Sequence, residues 1–249
     1  MGLYGTGMLM TFTEVAPEDE DEYNEWYNRE HIAERVATEG SAVASAVLRA
    51  VSDDDVRDLI ADLARSHVIE PEWGPAAGAW LGRIVETGTV QDLADPDYMA
   101  RLAVQSEWSQ KVMAGFTKFD RLTADITIDQ THGVCGWLGV TRLFPEEGMR
   151  DRLRESLKTA VLPELGKRLN MLGGCLAENN IDVSNAGLVA QGKPVPPGQT
   201  PEWVVLLDGA TEAAVRDAND GLAEALEDAG IDAVSLDRTI YGFLFGNNR

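Results

Sequence analysis

The sequence predicts an α+β chain in which two β-α-β-β-α-β units close one eight-stranded barrel. Three observations predict it. The length of 249 residues suits one large domain or two of about 100 to 150 residues. The order strand, helix, strand, strand, helix, strand can be read twice along the chain. Each unit alone leaves one apolar sheet face bare, and a second copy covers that face while pairing the free strand edges.

The first unit covers residues 1–130. Met8 to Val15 reads as a strand. Pro17 and five consecutive acids, Glu18 to Glu22, favour helix initiation. The helix runs through Tyr23, Trp26, Tyr27, His31 and Val36 towards Gly40, a natural stop. Ala42 to Val51 is the second strand. Val56, Leu59, Ile60 and Leu63 repeat at helical spacing and predict an extra helix over 53–66. A turn at Pro71 to Pro75 leads to a third strand, Ala76 to Val85. Val90 to Val104 reads as a helix that Pro96 interrupts, and Phe116 to Ile128 as the closing strand.

The second unit covers 131–249. Gly136 to Phe144 is its first strand. A helix follows with Met149, Leu153, Leu157 and Val161 on one face; Pro163 should kink it, and it resumes through Leu165 and Leu169 to Gly173-Gly174. Cys175 to Val183 reads as a strand, Ser184 to Thr200 as a polar Gly/Pro-rich loop, and Trp203 to Asp208 as a strand. Ala214, Ala218, Leu222 and Leu226 predict a helix closed by Gly230, and Ile231 to Phe245 the last strand. This order is the ferredoxin-like split β-α-β arrangement. Thr13 and Pro17 match Thr141 and Pro145 at an offset of 128, and Arg35 and Gly40 match Arg168 and Gly173 at 133, which calls for a five-residue insertion in the second helix.

Composition narrows the partners. Lys plus Arg is 21 against 42 for Asp plus Glu, a net charge of −21, which argues against a nucleic-acid backbone or an anionic membrane. No apolar run reaches membrane-spanning length. The start Met1 to Thr6 lacks the basic and apolar regions of a signal peptide, so a cytoplasmic protein is expected. Cys135 and Cys175 are expected to be reduced. Gly5-Thr-Gly7 precedes a strand and does not read as a dinucleotide fingerprint, and the chain has no P-loop, nucleophile elbow or Cys-x-x-Cys.

The stretch Glu25-Trp-Tyr-Asn-Arg-Glu-His-Ile-Ala-Glu-Arg35 resembles the dimeric α/β barrel superfamily, in its EthD-like branch, here as a tandem fusion of two units. Many members carry a Trp-Tyr pair followed by His on the first helix. Residues 79–88 are similar to the third strand of that family, and Asp95 to Tyr98 and Ser106 to Ser109 to its second helix and the loop after it. The helix over 53–66 departs from the usual short connection. The resemblance implies small-molecule chemistry: cofactor-free isomerases, cofactor-free monooxygenases of polyketide quinones, or haem enzymes.

On a helix Tyr27 and His31 are four apart and share a face, bordered by Tyr23 and Trp26, with Glu30 and Glu34 close by. An imidazole beside a phenol and carboxylates suits acid–base work at neutral pH. The expected roles are His31 as general acid/base, Tyr27 as donor to a developing oxyanion, Glu30 or Glu34 orienting the imidazole, and Tyr23, Trp26, Trp80 and Trp108 as substrate walls. The other reading places the aromatic residues in the core, with His31 at its rim. At the 133 offset His31 falls opposite Glu164 and Tyr27 opposite Ala160, so a site would belong to the first half alone. Neighbouring helical positions diverge by about 100°, so Glu30, His31 and Glu34 do not share an ion readily, and no metal is expected. No local motif supports haem, and no cofactor is expected. His67 and His132 read as surface and turn residues. Strand residues Arg142 and Arg238 could pair a substrate carboxylate if they face inward.

The function expected is a cofactor-independent lyase or isomerase acting on a small aromatic or polyketide-like molecule. The alternatives are a cofactor-free monooxygenase of the same fold and a non-catalytic small-molecule-binding barrel. A fused pair satisfies pairing internally, yet such a chain can still form a homodimer.

Overall fold

The computed structural model describes residues 3–37, 44–50, 79–133, 135–190, 192–197, 199, 201–229 and 236–248. Its eight strands are β1 (Gly7–Val15), β2 (Ala44–Ala50), β3 (Ala79–Thr87), β4 (Phe116–Asp129), β5 (Trp137–Leu143), β6 (Met171–Asn179), β7 (Trp203–Gly209) and β8 (Leu236–Asn248). They close into an antiparallel barrel in the order β1-β3-β2-β8-β5-β7-β6-β4. Within it the first four strands run β4-β1-β3-β2 and the last four β8-β5-β7-β6, the same order stepped by four. The halves join at β2–β8 and β4–β6, so no strand edge is left open.

Strand alternation sorts the core into layers. Met8, Met10 and Phe12 of β1 point into the barrel, where they meet Ile84, Leu122 and Tyr241. Leu9 and Val15 point outward to a helix layer with Tyr23, Trp26, Tyr27 and Tyr98. The second half repeats the layering with Leu153, Leu157, Val161 and Leu222 over Leu143 and Val205.

The first helical run starts with a 3-10 turn at Pro17–Asp19, continues as α1 (Glu20–Trp26), widens into one π-helical turn at Tyr27–His31, and ends as α2 (Ile32–Ala37). The second half repeats it: Glu147–Met149, α5 (Arg150–Ser156), a π turn at Leu157–Val161, and α6 (Leu162–Gly166). These starts step by a constant 130, from 17 to 147, 20 to 150, 27 to 157 and 32 to 162. The offsets of 128 and 133 are therefore corrected, and the inferred insertion is absent. His31 answers to Val161 and Tyr27 to Leu157.

Other expectations shift. The expected interruption at Pro96 separates a 3-10 turn, Val90–Ala94, from α3 (Pro96–Ala103), which Asp95 caps. Ser106 caps a further helix, α4 (Glu107–Met113), where a loop was expected. The second-half helix ends at Gly166 instead of Gly173; Leu169 is 85% exposed, and Gly173 lies inside β6 at φ +108°, where an added Cβ would strike the Gln130 carbonyl. The loop expected from Ser184 begins instead as α7 (Ile181–Ala190), which packs against β4, α3 and the 3-10 turn of the first half. The final helix, α8 (Glu212–Asp228), covers β5, β7 and β8 as one piece. The helix expected over 53–66, the turn at 71–75, His67 and Gly230 lie outside the described residues. Both cysteines are free thiols. Among the described residues no helix is long and apolar enough to cross a membrane.

Candidate active site

The π turn shapes the site. One extra residue in the turn closes a bond from the Ile32 amide to the Tyr27 carbonyl, five residues back. Side chains five apart then share a face: the Trp26 and His31 rings lie 4.4 Å apart, against 5.3 Å for Tyr27 and His31. Tyr23 stacks on Tyr27 at 5.6 Å. All four are buried, His31 with 6% of its surface open. The apolar environment pushes the Tyr23 phenol well above its ordinary value.

The partner of the imidazole is a cation. Arg83, on the helix-facing side of β3, brings Nη1 to 2.7 Å from His31 Nε2. Arginine carries only donors, so Nε2 accepts in this pair, which corresponds to the tautomer with its proton on Nδ1. The Arg83 guanidinium also lies 5.2 Å from the Tyr27 ring centroid. Arg83 is 7% exposed. No carboxylate within 4 Å pairs with it among the described residues, and its Nε is buried without a hydrogen-bond partner. Burial lowers its pKa to about 10, and the positive charge of Arg121 adds to the effect. The Tyr27 hydroxyl is likewise buried without a partner among the described residues.

The two glutamates near the histidine are placed differently. Glu30 accepts from Ser106 Oγ at 2.5 Å and from Ser109 Oγ at 3.1 Å. Ser109 Oγ in turn accepts from Trp26 Nε1 at 3.0 Å. Glu30 thus fastens the start of α4 to the first helical run and holds the Trp26 indole; the group against His31 Nε2 is Arg83. Glu34 is exposed. Trp108, half-buried in α4, packs at the margin of the aromatic cluster. Trp80 stands in β3 opposite Glu14, and its side chain lies outside the described residues. Tyr98 of α3 is buried in the same cluster.

The strand arginines picked out from sequence are committed elsewhere. Arg142 does face into the barrel, but it lies 2.7 Å from both Asp120 and Glu202. Arg238 pairs with Asp220 at 3.1 Å. Arg83 and Arg121 were overlooked. Arg83 had a readable signal: it shares the parity of Leu81 and Val85, a charge on an otherwise apolar strand face. The acidic run at the helix start is partly engaged, Glu20 with Arg49 at 2.7 Å and Glu22 with Lys111 at 2.5 Å. His132 is exposed. A cleft of about 380 Å³ opens beside β4 and β6, lined by Arg154, Glu178, Asn180 and Trp203 among others; it includes no residue of the His31 face.

No protein-family model matches the chain, and no curated protein matches it. Solved structures do. A "putative monooxygenase" from Lactobacillus acidophilus NCFM superposes with a TM-score of 0.57 at 10% identity, covering 98% of this chain and 96% of that one. A protein of the same description from Fusobacterium nucleatum subsp. nucleatum gives 0.57 at 10% identity over 99% and 96%. An anthrone oxidase-like protein gives 0.60 at 9% identity over 98% and 94%. At such identities the likeness is one of fold: a mixed α/β chain with a closed eight-stranded barrel of the dimeric α/β barrel type.

Proposed function

We propose that this chain is a cofactor-independent enzyme that removes a proton from a small aromatic or polyketide-like molecule, with His31 as the base. The observation that carries this reading is the imidazole buried under an aromatic wall, its Nε2 2.7 Å from Arg83 Nη1. When a substrate anion takes over the Arg83 donor, Nε2 is released as a base beside that anion. Tyr27 supplies a second donor to charge that develops on a substrate oxygen. Tyr23, Trp26 and Trp108 form the wall, and Glu30 acts at one remove by fixing Trp26.

The names of the fold neighbours favour an oxygenase outcome. For anthrone the balance is simple. His31 takes the C10 proton, the carbanion passes electrons to O₂, the oxygen bonds to C10, and loss of water leaves the quinone carbonyl. One O₂ and one anthrone give one anthraquinone and one water. The lyase or isomerase outcome uses the same abstraction, returns the proton or expels a group, and consumes no oxygen. With anthrone as probe, an oxygen electrode is expected to record uptake by the wild-type protein. His31→Ala is expected to lower it by about 100-fold or more. Full turnover by His31→Ala would remove the base assignment. Turnover of an aromatic substrate without O₂ uptake would favour the lyase or isomerase outcome.

The repeated strand order and the constant step of 130 support reading residues 1–130 and 131–249 as tandem ferredoxin-like units, the first carrying the site. The Trp26-Tyr27 pair with His31 supports the EthD-like branch. A homodimer through the outer helix layers belongs to the same reading.

A further inference from the structure

On the sheet beneath His31 three residues stand in one row across three strands. Thr11 of β1 is opposite Arg83 of β3 on one side and Arg121 of β4 on the other. All three occupy helix-facing positions. The outer strands are about 10 Å apart, so two arginine side chains from them reach a common point above Thr11. Neither guanidinium has a carboxylate partner among the described residues, although 42 acidic residues are available in the sequence. Each has a buried nitrogen with no hydrogen-bond partner, Nε of Arg83 and Nη2 of Arg121. A roof covers the row. Helix α7, from the other half of the chain, lies over β4, and an added Cβ at its Gly187 would sit 3.1 Å from Arg121 Nη1. Thr11, Arg83 and His31 keep 9%, 7% and 6% of their surface open, where Leu81 and Leu93 keep none.

Two unneutralised guanidiniums side by side in an apolar layer are a costly arrangement, and an anion between them relieves it. We propose that Arg83 and Arg121, with the Thr11 hydroxyl between them, form a binding site for the carboxylate of an aromatic acid. A carboxylate suits the planar donor fork of arginine, and the neighbouring Tyr23, Tyr27 and Tyr98 give the ring an apolar bed. The inference rests on the reading of His31 as base and narrows its substrate. Because Arg83 touches His31, the proton removed belongs to an O–H or C–H one or two bonds from the carbon bearing the carboxylate.

The test separates this inference from that reading by measuring binding without turnover. Wild-type protein is titrated by calorimetry with 1-hydroxy-2-naphthoate and with the matching uncharged carboxamide, at fixed ionic strength. The acid is expected to bind about tenfold or more tightly than the amide. Arg121→Gln is expected to remove that preference and leave the amide unchanged; Arg83→Gln is expected to do the same. Arg121, half-buried, is the safer variant should Arg83→Gln not fold. Arg121→Lys keeps the charge without the fork and is expected to restore part of the preference. Equal binding of acid and amide, no binding of either, or an acid preference untouched by Arg121→Gln overturns the proposal. A His31→Ala protein that keeps the acid preference but retains full turnover would leave the carboxylate site standing and remove the base.

Discussion

The two halves of the barrel carry the same helical run, and among the described residues only the first has arginines beneath it without an acid partner. Tyr23, Tyr27 and His31 of the first half answer to Leu153, Leu157 and Val161 of the second, in runs that both widen into a π turn. Beneath them Thr11 answers to Thr141, Arg83 to Val205 and Arg121 to Arg238. Thr141 donates to Asn219 at 2.9 Å, and Arg238 pairs with Asp220. The π turn is therefore architecture common to both halves and does not by itself mark a site. What marks the first half is charge left uncompensated: among the described residues neither arginine of its row has an acid partner, and Arg83 meets a histidine instead.

The strongest way to sharpen that contrast is to remove a buried arginine that does have partners. Arg142 lies against Asp120, Glu202 and the Phe12 ring, all inside the barrel. Arg142→Met strands two buried carboxylates and is expected to cost about 3–5 kcal/mol in a urea unfolding curve. A loss under about 1 kcal/mol would mean that these acids simply take up protons, and the paired arginine would then differ little from the unpaired one.

The halves agree inside the barrel, where Glu86 of β3 answers to Asp208 of β7. Both are buried, and burial raises both carboxyl groups. Glu86 accepts from the Tyr4 amide at 2.8 Å, yet burial still carries it from its ordinary 4.5 to about 7. In that interval the folded chain holds a proton that the unfolded chain has lost, so stability falls as pH rises from about 4.5 to about 7 and is level above. Glu86→Gln removes this slope. It is expected to raise stability at pH 8 by ~2–3 kcal/mol and to change little near pH 4, measured as urea midpoints at the two pH values. An equal effect at both would show that Glu86 acts through packing instead of its proton.

The strand order was legible because alternation and turn residues are local signals, and β1, β4, β5 and β7 fall within a few residues of their expected bounds. Helix α7 was not, because Ser184, Asn185 and Gly187 are loop formers. Asn180 caps it by accepting from the Val183 amide, and tertiary bonds hold it, Asn180 donating to Asp125 and Ser184 meeting Thr123. In the site, Tyr27 and His31 were legible from a four-residue spacing. The Trp26–His31 contact needed the π turn, which that spacing does not reveal. The arginine row needed the register of three strands, with His31 and Arg83 separated by 52 positions along the chain.

The smallest expected change is the one that most directly tests the comparison. Arg83→Met makes β3 resemble β7, where Val205 fills the same place. The substitution removes a desolvated charge and its repulsion from Arg121, which stabilises the fold. It also removes the contact with the Tyr27 ring and the hydrogen bond to His31 Nε2, which costs about 1–3 kcal/mol. These oppose one another, so the net change in urea unfolding is expected to stay within about 1 kcal/mol, while activity on any substrate that depends on the anion site is lost. A loss as large as that from Arg142→Met would show Arg83 to be a structural charge, and the first half would then differ from the second in packing alone.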